Sequence, residues 1–330
     1  MTAAPDLDDE TDSESGDEGG FDDDGEAPKL DLPAGDEGEE SGCESELFSW
    51  DPILPQLVFV LDHSGSMTAS LPSPLGGTWS RWEALHEVVR LTLERREDEV
   101  EFGLKIFPTP FLAESDGCAV TPGVEYPPTP NAMDDLLAVM PPADSSPVGA
   151  TPIHAGIQAA GEALKAADAS RPRAILLVAD GGISASCGLS ENSTDAASYL
   201  ASLRQVDGID SYVVAVGDTA TDNESLETLA IAGGQGQVFE STDGAELDAA
   251  IGEIVDSLRS CELQLESPYP IPEEVALHVD DTEVEAVADC DSGEGYIYDV
   301  DTGRMTLCEQ TCDAYLEGVN VEVEHFCQPG

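Results

Sequence analysis

One short segment carries residue types that could hold a metal ion. Between positions 62 and 66 the chain reads Asp62-His63-Ser64-Gly65-Ser66, one carboxylate and two hydroxyls at alternate positions. Three oxygen side chains converging at one turn suit a small hard cation, because Mg2+ takes about six oxygens at about 2.0–2.1 Å and keeps several waters. The five residues before them, Leu57 to Leu61, are all apolar and read as a buried strand of a parallel sheet. In an open α/β sheet the carboxyl end of a strand is where ligands bind. The segment therefore both supplies the oxygens and places them.

D-x-S-x-S after a first apolar strand resembles the metal-ion-dependent adhesion site of the von Willebrand factor A family. That resemblance implies two further contributors, a Thr and an Asp from distant loops. Gly149-Ala150-Thr151-Pro152-Ile153 stands just before a helical pattern, where the family places its metal-site Thr. The apolar strand Ile175–Ala179 ends in Asp180-Gly181, where the family places its last Asp. D-x-S-x-S alone is weak, since Ser and Gly crowd many turns; three pieces in this order, each at an element boundary, are specific. Ala179 stands where the family often has Thr and Ala150 where it often has Gly, and neither position supplies a ligand. The implied metal set is Asp62, Ser64, Ser66, Thr151 and Asp180 around Mg2+, with Mn2+ or Ca2+ as substitutes. The resemblance further implies that the three hydroxyls touch the metal while Asp62 and Asp180 act mostly through water. Such an ion keeps most of its +2 charge and seeks an anionic sixth ligand. A carboxylate on a protein or cell-surface partner would supply it.

Two other chemistries compete for the same residues. Asp62, His63 and Ser64 lie side by side and superficially suggest a hydrolase triad. A triad is assembled from separate segments, with the base about 2.6–3.2 Å from the nucleophile. Adjacent residues at a strand end point apart, and His63-Ser64-Gly65-Ser66-Met67 fails the G-x-S-x-G elbow. His63 is expected to pack in the loop, pointing away from its neighbours' site. A phosphotransfer enzyme with an Asp nucleophile would want a Lys or Arg beside the phosphate, and none occurs in the three loops. A cell-envelope scaffold using the fold for structure alone is the other alternative to a non-enzymatic, metal-dependent adhesion or ligand-binding protein.

The elements that must position these residues alternate. Trp82, Leu85, Val88, Val89 and Leu93 recur at helical spacing after a Pro, Gly and Ser-rich loop over 71–80. Val100–Phe107 alternates as a strand, and residues 111–130, rich in proline, fit a short edge strand between loops. Met133–Met140 and Ile153–Ala167 read as helices, Arg173–Ala179 and Asp210–Val216 as strands. Helices follow near 195–204, 224–232 and 245–258, with a short last strand over Gln237–Phe239. Alternation from 57 to 260 argues an α/β fold, a doubly wound, mostly parallel sheet flanked by helices. It matches the von Willebrand factor A order over residues 52–261. From 262 to 330 the pattern changes to period two, as in Val275–Val279 and Val319–Val323, which predicts a small β-rich module. That module is similar to the C-terminal extension of some bacterial exported A-domain proteins. Asp299-Val300-Asp301-Thr302-Gly303 lacks the acids of a calcium loop and reads as a hairpin turn.

Charge bounds the partners. The 330 residues carry a net charge of −57. Residues 1–46 hold nineteen Asp and Glu against Lys29 alone (−18 of the −57), so the rest carries −39. Nucleic acid is excluded as a partner, because binding phosphates needs clustered Lys and Arg. Residues 1–46 are too poor in apolar side chains to offset ordering entropy and read as a disordered acidic tether. No apolar run approaches the ~18 residues of a membrane span.

Eight cysteines at 43, 118, 187, 261, 290, 308, 312 and 327 favour disulfides and an extracytoplasmic compartment over zinc, since Cys308-x-x-x-Cys312 finds no second pair. A Cys118–Cys187 bridge would brace the metal face. The other six allow 15 connectivities, all left open. Met1-Thr-Ala-Ala-Pro5 followed by acids lacks a signal-peptide apolar region, so an exported chain is expected here in mature form with an added Met.

Overall fold

The computed structural model describes residues 46–325, apart from 75, 114 and 218–222. The expected tether lies outside the described residues except for Glu46. In chain order, β1 (Glu46–Leu47) and β2 (Trp50–Pro52) precede the long apolar strand β3 (Gln56–Asp62). A small hairpin of β4 (Ser70–Pro72) and β5 (Thr78–Ser80) occupies what composition marks as loop. Gly76 and Gly77 reverse the chain at φ +88° and +85°, and the pairing of Leu71 with Trp79 buries Leu71. Helix α1 (Arg81–Arg96) starts on a capping box in which Ser80 and Glu83 satisfy each other's backbone N–H.

The alternation then proceeds through β6 (Glu101–Phe107), α2 (Pro110–Ala113), β7 (Tyr126–Thr129), α3 (Met133–Val139) and α4 (Ile153–Ala166). It continues with β8 (Arg173–Ala179), α5 (Ser193–Asp207), β9 (Ile209–Val216), α6 (Asn223–Gly233), β10 (Phe239–Ser241) and α7 (Gly244–Leu258). Six strands form one sheet in the order β10-β9-β8-β3-β6-β7, parallel except for the edge strand β7. All of β3, β6 and β8 is buried, as the continuous apolar runs within β3 and β8 require. Leu57, Phe59 and Leu61 pack with Leu85, Leu136 and Ile251 on one side. Val58 and Val60 pack with Ile157, Leu200 and Leu229 on the other. Helices therefore cover both faces. Each such aliphatic side chain contributes about 1.5–3 kcal/mol by leaving water.

Lys105 departs from the apolar pattern of β6 yet is fully buried. Its ammonium donates to Glu125 Oε1 at 3.0 Å and to the Thr121 carbonyl at 2.9 Å, so the segment leading into β7 covers and pairs it. Period-two alternation in Val100–Phe107 implies one solvated face; instead Glu101 is held by Gln56 and Arg171, Gly103 lies against Pro128 and Lys105 is paired with Glu125, so neither face is solvated.

The C-terminal part holds β11 (Glu262–Leu265), β12 (Val275–Val279), β13 (Thr282–Val284), β14 (Tyr296–Asp299), β15 (Arg304–Leu307), α8 (Glu309–Leu316) and β16 (Val321–His325). They form two antiparallel sheets, β1-β16-β12-β13 and β14-β15-β11-β2, around a third core that includes Leu263, Leu277, Tyr296, Met305 and Val323. Each sheet takes an edge strand from ahead of the central sheet: β1 pairs with β16 and β2 with β11. Residues 46–52 thus belong with the C-terminal strands. Asp299–Gly303 is the β14–β15 turn, with Gly303 at φ +73° donating its N–H to the Asp299 carbonyl. Cys261 bonds Cys312 and Cys290 bonds Cys308, which fastens both ends of the α8 first turn. Cys43 and Cys327 lie outside the described residues.

Candidate metal centre

Strand register creates the site. β3 and β8 are parallel neighbours with Leu61 opposite Val178, so Asp62 and Asp180 emerge at the same sheet end. Asp62 is the last residue of β3 and fully buried. Its Oδ1 accepts the Ser64 N–H at 2.7 Å, which folds the chain back over the strand end. A single 3-10 turn, Gly65–Thr68, then lifts Ser66 to the surface. Ser64 Oγ and Ser66 Oγ are 3.0 Å apart, and Ser66 Oγ donates to Asp180 Oδ1 at 2.7 Å. Four of the five residues expected at the site are thereby joined.

Thr151 is brought alongside by its loop. The Gly65 N–H donates to the Gly149 carbonyl at 3.0 Å. Gly149 has φ +96°, and a Cβ there would come within 2.7 Å of the Gly117 carbonyl, so only glycine fits. The Thr151 N–H donates to Ser184 Oγ, and its carbonyl accepts the Ser184 N–H, each at 3.1 Å. Among the described residues no hydrogen bond joins its hydroxyl to the other four site residues. Two braces hold this arrangement. Cys118–Cys187 ties the loop after β6 to the loop after β8, and Glu191 caps α4. The Cys118–Cys187 pairing is the one expected from sequence.

Sequence reading misses Arg81. It comes from the start of α1 rather than from the three loops, and its Nη1 donates to Asp180 Oδ2 at 2.7 Å. The three loops hold no Lys or Arg, as expected, and the guanidinium reaches Asp180 from α1 instead. The local signal is a cation placed directly after a helix cap, at the end of the helix dipole that favours anions. His63 behaves as expected. Its ring meets Trp82 edge-on at 4.5 Å and its Nε2 lies 3.2 Å from Ser145 Oγ, away from Ser64.

The electrostatics are unbalanced at Asp62. Its Oδ2 is buried with no hydrogen-bond partner among the described residues. Burial, with the Asp180 charge second, pushes the carboxyl up to about 7 against the hydrogen bonds from Ser64 and from the Asp180 backbone. Burial likewise pushes the His63 imidazole down to about 4, so it is neutral at physiological pH.

Solved structures similar to the chain include the pilus adhesin SpaC from Lactobacillus rhamnosus GG, at 11% identity and TM-score 0.48, covering 85% of this chain and 40% of that one. The minor pilin PilB from Streptococcus sanguinis is similar at 15% identity and TM-score 0.44, covering 63% and 61%. A von Willebrand factor type A protein from Catenulispora acidiphila is similar at 14% identity and TM-score 0.44, covering 84% and 59%. The chain thus spans between 40% and 61% of the length of these structures. No family model and no curated protein matches its sequence.

The donor set consists of oxygens only. Among the described residues no three His, Cys, Asp or Glu side chains come together as a metal site. A cation at this sheet end would rest on hydroxyls and two carboxylates, a set suited to Mg2+, Mn2+ or Ca2+ rather than to zinc. The orphaned Asp62 oxygen fits such an ion. Bound charge of +2 would offset both carboxylates and end the isolation of Oδ2.

Proposed function

We propose that this chain is a divalent-cation-dependent adhesion or ligand-binding protein of the von Willebrand factor A type. Asp62, Ser64, Ser66, Thr151 and Asp180 would hold Mg2+, and the ion would accept an acidic group from a protein or cell-surface partner. One observation carries this reading. A fully buried carboxylate with an unpartnered oxygen stands in a hydrogen-bonded cluster of hydroxyls at a sheet end. An uncompensated buried charge is costly unless something positive comes to it.

The chain's own residues would divide the work. Asp62 and Asp180 lower the energy of a dication. Ser64 and Ser66 present neutral oxygens that leave most of its charge unspent for a partner. Disulfides at 118–187, 261–312 and 290–308 support an extracytoplasmic location. The acidic surface opposes an acidic partner only weakly, because exposed charges beyond about 8 Å are screened at physiological salt. Steering is therefore absent, and association is expected to be slow.

A structural scaffold has one observation in its favour, since Arg81 already neutralises Asp180 without a cation. Isothermal titration of Mg2+ and Mn2+ into chelator-stripped chain separates the two readings. One saturable site in wild type, lost in Ser64→Ala/Ser66→Ala, supports the cation-dependent binder. Absence of a specific site in wild type leaves the scaffold.

A further inference from the structure

Arg81 occupies a position its residue type does not favour. It is the first residue of α1, immediately after the Ser80 cap, where the helix dipole repels a cation. The site itself holds it there. Its Nη1 donates to Asp180 Oδ2 at 2.7 Å, and the Asp180 side chain is almost wholly buried. The guanidinium lies against Gly217 at the end of β9, where a Cβ would come within 2.5 Å of Nε. Gly217 thus leaves the room that the guanidinium fills, while Nε itself is buried with no partner among the described residues. Asp180 consequently has both oxygens engaged, one by Ser66 and one by Arg81.

We propose that Arg81 is a built-in competitor of the divalent cation, which holds Asp180 with its own charge and so sets the affinity of the site low. This rests on the cation reading above. Any ion reaching Asp180, directly or through one water, comes within a few ångströms of the cationic Arg81 guanidinium. Repulsion between them is strong because the pair is largely shielded from water. An acid group arriving from a partner would offset that excess positive charge. Cation and partner are then coupled, each binding more tightly in the presence of the other.

The test is calorimetric titration of Mg2+ and of Mn2+ into the chelator-stripped full chain, as wild type, Arg81→Gln and Arg81→Lys. Glutamine keeps a donor for Asp180 and loses the charge, whereas lysine keeps the charge. We expect Arg81→Gln to bind at least about tenfold tighter than wild type and Arg81→Lys to stay within about threefold of it. Equal or weaker binding by Arg81→Gln overturns the competitor and leaves the cation site standing. Tightening of Arg81→Lys to the level of Arg81→Gln overturns the charge argument. If neither wild type nor Arg81→Gln binds, the cation reading and the competitor fall together. A second measurement needs no variant to fold: nitrogen-15 NMR of the Arg81 guanidinium in wild type during Mg2+ titration. Its signal should move with occupancy. A fixed Arg81 signal beside shifting Ser64 and Ser66 amides would overturn the proposal.

Discussion

Glu191 closes the N-terminus of a helix that begins 38 residues before it, its two carboxylate oxygens accepting the His154 N–H at 3.0 Å and the Ala155 N–H at 2.9 Å. The first turn of α4 has no side-chain cap at Pro152, and a carboxylate there also meets the positive end of the helix dipole. Glu191 stands in the loop after Asp180, while Thr151 leads into α4, so one contact couples two pieces of the site. Replacing Glu191 with Ala is expected to cost about 1–2 kcal/mol in urea unfolding. Calorimetry should show a parallel loss of Mg2+ affinity, because the helix start that Thr151 leads into loses its cap. Unchanged affinity in a destabilised variant would confine Glu191 to the fold.

Asp62 gives the cation-free chain a pH dependence with a definite sign. Its carboxyl is raised from 3.8 to about 7 by folding, so the native state keeps a proton that the unfolded state releases near pH 4. Where the native state binds more protons, stability falls as pH rises, here between about pH 4 and pH 7. The ceiling on this penalty is about 4 kcal/mol. In chelator, Asp62→Asn should therefore melt above wild type at pH 8, with the gap closing toward pH 4. Mg2+ should raise the melting temperature of wild type and leave the variant unmoved. Thermal melts with chelator and with Mg2+ across this range decide it, and a variant less stable than wild type at pH 8 would mean that Asp62 is satisfied.

The disulfide between Cys118 and Cys187 spans 69 residues and joins the two loops beside the candidate ion. Its removal as Cys118→Ala/Cys187→Ala is expected to cost about 2–4 kcal/mol of stability. Mg2+ affinity should fall as well, since Ala150 is held through Gly117, next to Cys118, and Thr151 through Ser184, close to Cys187. Equal affinity in the bridged and unbridged chains would show that the loops hold their places unaided.

Lys105 offers a test of the sheet interior. Removing one partner of a buried ion pair leaves the other charge uncompensated, at a cost of about 3–5 kcal/mol. Lys105→Met should destabilise by that order in denaturant unfolding, and Lys105→Met/Glu125→Gln should recover part of it. Glutamine at 125 would still accept the Ile106 N–H that Glu125 Oε2 accepts at 2.8 Å. No recovery in the double variant would mean that packing around the lysine stem, not charge, is what Lys105 contributes.

The central sheet is legible in the chain because its signals are local. Leu57–Leu61 and Arg173–Ala179 are apolar runs whose ends carry the chemistry, and parallel pairing alone brings Asp62 beside Asp180. Arg81 and Glu191 are not legible, because each acts on an element far away in sequence. Around Arg81 the one local hint is a cation directly after a helix cap, which names no partner, and around Glu191 the residues spell an ordinary polar loop. Residues 46–52 are too short to show a period, so their pairing with β11 and β16 is invisible before folding. Helix α8 is equally hidden, although Cys308 and Cys312 stand one helical turn apart. Its eight residues are too few to display a 3.6-residue repeat.

The pairing of β1 with β16 and of β2 with β11 sets how the chain would respond to force. Pro52 lies opposite Leu263, so the path into the central sheet and the path out of it run side by side. Glu46 lies opposite His325, at one end of an antiparallel pair. A pull applied at Glu46 and His325 themselves would load the ladder one hydrogen bond at a time, as a zipper opens. Tension would strip the outer strands first, and the sheet bearing Asp62 and Asp180 would feel none of it until both had parted.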